Sequence, residues 1–387
     1  MSYLNQKESI LLGLGALHTA REIALQPLLW KQTIEKFNRE SNDINSFLKK
    51  AYKESSNVIL TGAGTSAFIG LSLQGSYFNK SSLITRALAT TDIVSYPKHY
   101  FNTTEIPLII SFARSGNSPE SCAALALADN FSAKCFHLII TCDAEGELAK
   151  YQSKNPVHVF VLPTEANDKS LAMTGSYTSM LLTGLLIAYI DQMDFCAQQV
   201  GLLERVAQKI LNEDLETIMR IAAKDFQRAV FLGSGALFGT ATEAALKLQE
   251  LTDGQVICKA DTYLGIRHGP KAVIDENTLV IYFFSNSHYV QQYEEDLVHA
   301  MKTGNSAMFQ LGISEHTIQI KELQAQITLT INNQTIAEDF LPVCSIVVGQ
   351  LIAFYKSLQL GIMPDAPSVS GSISRVVQGV QIYSVKK

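Results

Sequence analysis

The chain has 387 residues, 47% of them apolar and 17% charged, with a formal net charge of −5. That length exceeds one ordinary compact core and suits two domains of under about 200 residues each, and the apolar content excludes a disordered or fibrous protein. Basic residues cluster no further than pairs such as Lys49–Lys50, which argues against a nucleic-acid partner but leaves room for a small anion held by local groups.

In chain order, a helical extension is expected to about residue 50, and its apolar run at residues 10–17 follows Glu8 without a signal-peptide cleavage site. Val58-Ile-Leu-Thr-Gly62-Ala-Gly64 then reads as a buried strand closed by Gly-x-Gly and followed by a helix. Apolar runs recur at 83–89, 108–112, 136–141 and 157–162, with a helical segment at 119–130. Residues 170–190 carry no charge over 21 positions, close to the length of a membrane span. Their hydroxyls (Ser170, Thr174, Ser176, Thr178, Ser179, Thr183) and the lack of an asymmetric basic flank favour a helix buried in the protein or in a dimer. A helical linker is expected near 195–225.

Val230-Phe-Leu-Gly233-Ser-Gly235 repeats the opening, its glycines 171 residues after the first pair. Runs at 256–260, 278–284 and 307–311 and a helix at 343–358 continue the theme less regularly, and an irregular tail begins at Gly361. Buried strands alternating with helices are the pattern of a parallel sheet covered on both faces. The expected fold is therefore α/β: two doubly wound parallel-sheet domains in tandem, at 51–205 and 206–360, between a helical extension (1–50) and a tail (361–387). Six cysteines (Cys122, Cys135, Cys142, Cys196, Cys258, Cys344), mostly in apolar runs and never as Cys-x-x-Cys, read as reduced thiols of a cytoplasmic protein with no membrane association.

Ligands of open parallel sheets bind at the carboxyl ends of strands. The segment Ser111-Phe-Ala-Arg114-Ser115-Gly116-Asn117-Ser118-Pro119-Glu120 follows such a strand, with Ser118 placed as an N-cap and Pro119 as the first helical residue. The helix N-terminus, the Ser115 and Ser118 hydroxyls and the glycine N–H suit a phosphate; a serine-rich cap without ligand is the plain alternative. Gly62-Ala-Gly64-Thr65-Ser66-Ala67 also meets a relaxed dinucleotide pattern, but the nearest acidic residue, Asp92, comes some ten positions late and Phe238 breaks the second copy. A tight strand-to-helix turn with Ser66 facing a ligand explains it better.

Glu243, Lys247 and Glu250 share one helical face at spacings of four and seven, in an Ala-Ala-Leu-x-Leu setting that points to burial. An exposed ion pair is the plain reading. A buried glutamate is instead pushed toward neutral pKa and can exchange protons, and His268 before Gly269-Pro270 is placed to be exposed and mobile. No His-Glu-x-x-His, paired cysteine or acidic triplet accompanies them, so no metal or other cofactor is expected.

Nearly the whole chain resembles the tandem SIS enzymes, which include the isomerase part of glucosamine-6-phosphate synthase. The carrying segments are Arg21-Glu22-Ile23-Ala-Leu-Gln26-Pro27, Gly62-Ala-Gly64-Thr65-Ser66, Ser115-Gly116-Asn117-Ser118-Pro119-Glu120-Ser121, Glu243-Ala-Ala-Leu-Lys247-Leu-Gln-Glu250 and His268-Gly269-Pro270. The opening His18-Thr-Ala-Arg-Glu-Ile and the tail Ser374-Arg375-Val-Val-Gln378-Gly379-Val are similar to the galactosamine-6-phosphate deaminase/isomerase branch, also labelled tagatose-6-phosphate ketose/aldose isomerase. The resemblance implies that Gly64, Thr65, Ser66, Arg114, Ser115 and Ser118 hold a sugar phosphate, that Glu250 shuttles a proton between C1 and C2, and that His268 opens the ring from the neighbouring subunit of a homodimer or larger homo-oligomer. Lys247 and Arg375 are further candidates. The synthase has a lysine in its C-terminal loop, whereas Arg375 is the only cation between Lys356 and Lys386 here, and no N-terminal glutaminase domain is expected. Deamination of galactosamine 6-phosphate is the expected direction. Plain aldose/ketose isomerisation, a non-catalytic sugar-phosphate regulator and a nicotinamide oxidoreductase are the competing readings.

Overall fold

A computed structural model describes residues 1–377 and 379–385; Gln378 and Lys386, quoted above, lie outside the described residues. Strands β1 (Ser2–Tyr3) and β2 (Gln6–Lys7) pair antiparallel, and α1 (Glu8–Gly13), α2 (Leu17–Ala24) and α3 (Gln26–Glu54) follow. The N-terminal extension is thus helical but opens on a hairpin and runs to Glu54.

The first sheet is built from β3 (Asn57–Gly62), α4 (Thr65–Ser81), β4 (Ile84–Ala89), α5 (Thr90–Ser95), β5 (Pro107–Ala113), α6 (Pro119–Phe131), β6 (Phe136–Thr141), β7 (Val157–Val161) and α7 (Gly175–Ala188). After α8 (Met193–Lys209), a π-turn at Ile210–Asp214 and α9 (Leu215–Ala222) comes the second sheet. It comprises β8 (Arg228–Leu232), α10 (Ala236–Leu251), β9 (Ile257–Asp261), β10 (Thr278–Phe283), α11 (His288–Ala300), β11 (Phe309–Ser314), β12 (Ala325–Thr328) and α12 (Leu341–Gln359). β12 is the strand that the sequence pattern misses. From Gly361 onward the described residues form no helix or strand.

Both sheets are five-stranded and wholly parallel with the same order, β4-β3-β5-β6-β7 and β9-β8-β10-β11-β12. The chain separates into two compact units. One contains Leu28–Asp168, Gly175–Ala197 and the tail from Ile373; the other contains Met1–Pro27, Lys169–Thr174 and Gln198–Ser372.

In each repeat the second strand lies at the sheet edge and the third lies on the other side of the first. Right-handed crossovers then send the connections out of the first and second strands to opposite faces. In the first unit α4 packs with α7, and α5 with α6. In the second unit α10 packs with α12, while Ile266 and Ile274 of the β9–β10 connection join Leu297 and Val298 of α11 against Val230, Leu232, Val280 and Tyr282. A glycine on the last helix of each repeat lets the helix pair close. A Cβ at Gly184 would sit 2.3 Å from Leu73 Cδ1, and one at Gly349 would sit 2.7 Å from Ala244 Cβ. The uncharged stretch at 170–190 resolves into α7, whose 14 residues span about 21 Å and are buried up to Ile187. The helical segment Glu338–Gln359 is long and apolar enough to cross a membrane, but 94% of its apolar window is buried inside the chain.

The loops after β5 and β10 correspond topologically yet differ in chemistry. After β10, the Ser285 N–H donates to Glu294 Oε2 (3.0 Å), the Ser285 hydroxyl to Glu338 Oε1 (2.6 Å) and the Asn286 N–H to Glu338 Oε2 (2.9 Å). Asn286 Nδ2 reaches Glu315 Oε2 at 3.2 Å. The chain's own carboxylates thus occupy donors of this loop.

Two outcomes follow from this packing. Gly349→Ala should lower the melting temperature, by about 1–3 kcal/mol of stability, and more than Gly184→Ala, because a Leu73 side chain can rotate away and an Ala244 methyl cannot. Burial, opposed in part by the Ser285 N–H and reinforced by Glu338, pushes the Glu294 carboxyl up to about 8. An acid whose pKa rises on folding binds its proton more tightly in the native state, so stability falls as pH climbs from the ordinary carboxylate range to about 8. Glu294→Gln should flatten that decline in a pH series of thermal melts; an unchanged slope would remove the assignment.

Candidate active site

The strand order 2-1-3-4-5 leaves a crevice at the carboxyl ends of its first and third strands, where the chain reverses direction across the sheet. In the first unit β3 and β5 flank this switch point. β3 ends at Gly62, where a Cβ would come within 2.6 Å of the Ser66 backbone and side chain. Gly64, at φ 55° and ψ −127°, then turns the chain directly into α4. Gly235 repeats the conformation at φ 55° and ψ −126°, and a Cβ at Gly233 would meet Leu237 O at 2.2 Å, so both glycine pairs are imposed by the same strand-to-helix turn. Thr65 and Ser66 begin α4 and are buried.

β5 delivers Arg114, buried, and Ser115, half-buried, to the same end of the sheet. Gly116 takes φ 67°, and the loop is braced from the β6 side: Leu148 N–H donates to Gly116 O (3.1 Å), Glu147 N–H to Asn117 Oδ1 (3.0 Å), and a Cβ on Gly146 would meet Ser115 O at 2.2 Å. Ser118 holds the cap position of α6 and Pro119 the first helical one. The expected cap bond is not made. The Ser118 hydroxyl lies 2.6 Å from Ser121 Oγ instead of accepting a backbone N–H, because Ser121 N–H already bonds Ser118 O at 3.1 Å. Around these strand ends Thr61, Thr90, Ser111 and Glu120 each carry a buried side-chain oxygen with no hydrogen-bond partner among the described residues. Two helix N-termini, an arginine and unsatisfied hydroxyls are the kinds of group that favour an anion such as phosphate.

Arg114 Nη2 donates to Arg375 O at 2.6 Å. The Arg375 guanidinium in turn grips Asp168 O through Nε (3.0 Å) and Nη2 (2.6 Å) and Asn167 Oδ1 through Nη2 (2.8 Å). Asp168 caps α7: its Oδ2 accepts the Ser176 N–H at 2.9 Å and the Ser176 hydroxyl at 2.5 Å. Asn167 and Asp168 were not singled out in the sequence. Their signal was an Asx residue ahead of the uncharged helix.

In the second unit the expected one-faced trio holds. Glu243 and Lys247 are buried rather than exposed, with Lys247 Nζ 3.5 Å from Glu243 Oε1, and Lys247 also pairs with Glu250 Oε2. The Glu250 side chain keeps 22% of its surface exposed, so of the two carboxylates it is the one solvent and substrate can reach. His268 is exposed between the turns Gly265–Arg267 and Pro270–Val273, with Gly269 at φ 115° supplying the bend. Within this unit α10, which carries Glu250, and the β9–β10 connection, which carries His268, take opposite faces of the sheet.

Asp92 lies on α5, exposed and beyond the end of β4, not at the strand end that a ribose-binding acid requires. Asp129, Cys135 and His137 form the one cluster of metal-capable side chains among the described residues. Asp129 there accepts bonds from Tyr151 (2.6 Å) and Asn155 (2.8 Å) and pairs with His137 Nε2 (2.9 Å). Burial opposes ionisation, but the bonds from His137, Tyr151, Asn155 and Ser153 hold its carboxyl well below the usual range, as in a satisfied hydrogen-bond hub. All six cysteines are free.

The SIS domain model matches residues 51–189 and 224–358. D-galactosamine-6-phosphate deaminase AgaS of Shewanella sp. (strain ANA-3) is 39% identical over 380 residues, covering 96% of this chain and 93% of the relative. A crystal structure from Clostridium novyi NT superposes with a TM-score of 0.95 at 38% identity, over 100% of both chains. The crystal structure of tagatose-6-phosphate ketose/aldose isomerase from Escherichia coli gives 0.85 at 32% identity, over 95% of this chain and 97% of that one.

Removing one partner of a buried ion pair strands the other charge. Lys247→Met should cost about 3–5 kcal/mol in chemical denaturation, whereas Glu250→Gln should cost far less and the Glu243→Gln/Lys247→Met pair should recover much of the loss.

Proposed function

This chain belongs to the SIS-domain family, and from that premise we propose that it converts galactosamine 6-phosphate to tagatose 6-phosphate and ammonia. The observation that carries the reading is Glu250: a partly exposed carboxylate anchored by a buried lysine, in a chain similar over nearly its whole length to a galactosamine-6-phosphate deaminase.

The reaction needs an anion site, a mobile proton and a way into the open-chain sugar. Ser66, Arg114, Ser115 and Ser118, with the backbone at Gly64 and Thr65, hold the phosphate. His268 assists ring opening. Glu250 takes the C2 proton of the open-chain aldose and returns a proton to C1, while the aldehyde oxygen gains a proton and the amine loses one by way of solvent, so the 2-amino aldehyde becomes a 1-hydroxy ketimine. Water adds to the imine carbon, the C–N bond breaks, and ketose and ammonia leave. Lys247 fixes the Glu250 carboxylate, and no step calls for a metal or other cofactor. The two parallel-sheet domains, 51–205 and 206–360, divide the labour between phosphate binding and proton transfer. The setting is cytoplasmic, in keeping with the free thiols.

The active form is at least a homodimer with His268 reaching a neighbouring subunit's site. The support is that the elements carrying His268 and Glu250 take opposite faces of the sheet in their own unit. Isomerisation without loss of nitrogen uses the same shuttle and is the second reading, favoured by the name of the Escherichia coli structure.

Purified protein given galactosamine 6-phosphate should release ammonia, and Glu250→Gln should slow that release about 10²–10⁴-fold with little change in substrate affinity. No ammonia from either galactosamine or glucosamine 6-phosphate would leave isomerisation as the reading to pursue. An equal mixture of Glu250→Gln and His268→Asn chains, unfolded and refolded together, should regain about a quarter of wild-type activity if the site is shared in a two-fold dimer, and none if each chain is self-sufficient.

A further inference from the structure

Three loops of the first unit meet through one tail residue. Arg375 accepts the Arg114 Nη2 bond on its backbone oxygen at 2.6 Å and spends its side chain on Asp168 O (2.6 and 3.0 Å) and Asn167 Oδ1 (2.8 Å). Asp168 carries the connection one step further, because its carboxylate binds Ser176 at the start of α7. These bonds span 261 and 207 residues of sequence, so each is a tertiary constraint. Arg114 and Asp168 are both buried.

We propose that Arg375 is a positioning residue for the anion loop, its carbonyl fixing the Arg114 guanidinium and its guanidinium fixing the Asn167–Asp168 turn that caps α7. The inference rests on the reading that Arg114 holds the sugar phosphate. A flexible arginine loses side-chain freedom when it grips an anion, and a guanidinium already fixed by a carbonyl has given up part of that freedom beforehand. The side-chain role calls for arginine in particular: two nitrogens of one planar fork reach two acceptors, which a lysine ammonium cannot reproduce in that geometry.

The test compares wild type with Arg375→Ala, Arg375→Lys and a chain ended after Ser372, titrated calorimetrically with galactosamine 6-phosphate and with inorganic phosphate, alongside thermal melts and ammonia release. The expected result is a roughly 10- to 100-fold weaker Kd for both ligands in Arg375→Ala, partial recovery in Arg375→Lys, the largest loss in the shortened chain, a raised KM with kcat at saturation nearly retained, and no drop in melting temperature for Arg375→Ala. Wild-type affinities in both Arg375→Ala and the shortened chain would overturn the proposal, as would a loss of affinity that appears only with a lowered melting temperature. Weakened phosphate binding in a protein whose wild type releases no ammonia would uphold the clamp and remove the deaminase reading instead.

Discussion

The constraint on which the rest of this structure depends is the handedness of parallel crossovers. A strand that runs parallel to its neighbour can be reached only by a connection that returns over a face of the sheet, and a right-handed return decides which face. In the order 2-1-3-4-5 the first two returns must take opposite faces, which opens the crevice between the first and third strands and sends α4 and α10 to the side away from the connections that follow. The glycine pairs Gly62/Gly64 and Gly233/Gly235 are the local cost of that scheme. A helix starting immediately after a strand brings its first turn against the strand end, where only a glycine fits.

The two repeats then diverge in what they place around the same topological features. At β3 and β5 the strand ends present Arg114, buried hydroxyls and two helix N-termini, an environment that favours an anion. At β10 the corresponding loop is filled by Glu294 and by the carboxylates of Glu315 and Glu338, and the latter two repel one. The partly exposed carboxylate of the second repeat, Glu250, sits elsewhere, on the last turn of α10, paired with Lys247. Two like scaffolds thus carry different groups: an arginine and buried hydroxyls at one switch point, carboxylates at the other.

Much of the scaffold was legible in the sequence because it is written in local patterns. Apolar runs of five to seven residues that end in Gly-x-Gly, and their return 171 residues on, reveal the repeat and the parallel sheets. Burial of the Glu243–Lys247–Glu250 face could be read from its alanine and leucine neighbours. β12 was not legible: it is a four-residue edge strand with one buried apolar residue, Ile327, too short to stand out from a loop. The Ser118 cap followed the right sequence pattern, yet its hydroxyl found Ser121, a competition between neighbours that spacing does not decide. The Arg375 contacts, and the grouping of Met1–Pro27 with the second sheet and the tail with the first, are tertiary facts with no local signature.

In the proposed reaction nitrogen leaves only after a proton has moved from C2 to C1 through Glu250. Turnover of galactosamine 6-phosphate in deuterated water, followed by NMR of the ketose and by ammonia titration, tests it most directly. The expected result is equimolar ammonia and tagatose 6-phosphate, with the new C1 hydrogen being C2 protium or, where the Glu250 carboxyl exchanges before returning it, solvent deuterium, and neither product formed at a comparable rate by Glu250→Gln. Ketose formed without ammonia, or full turnover by Glu250→Gln, would contradict it.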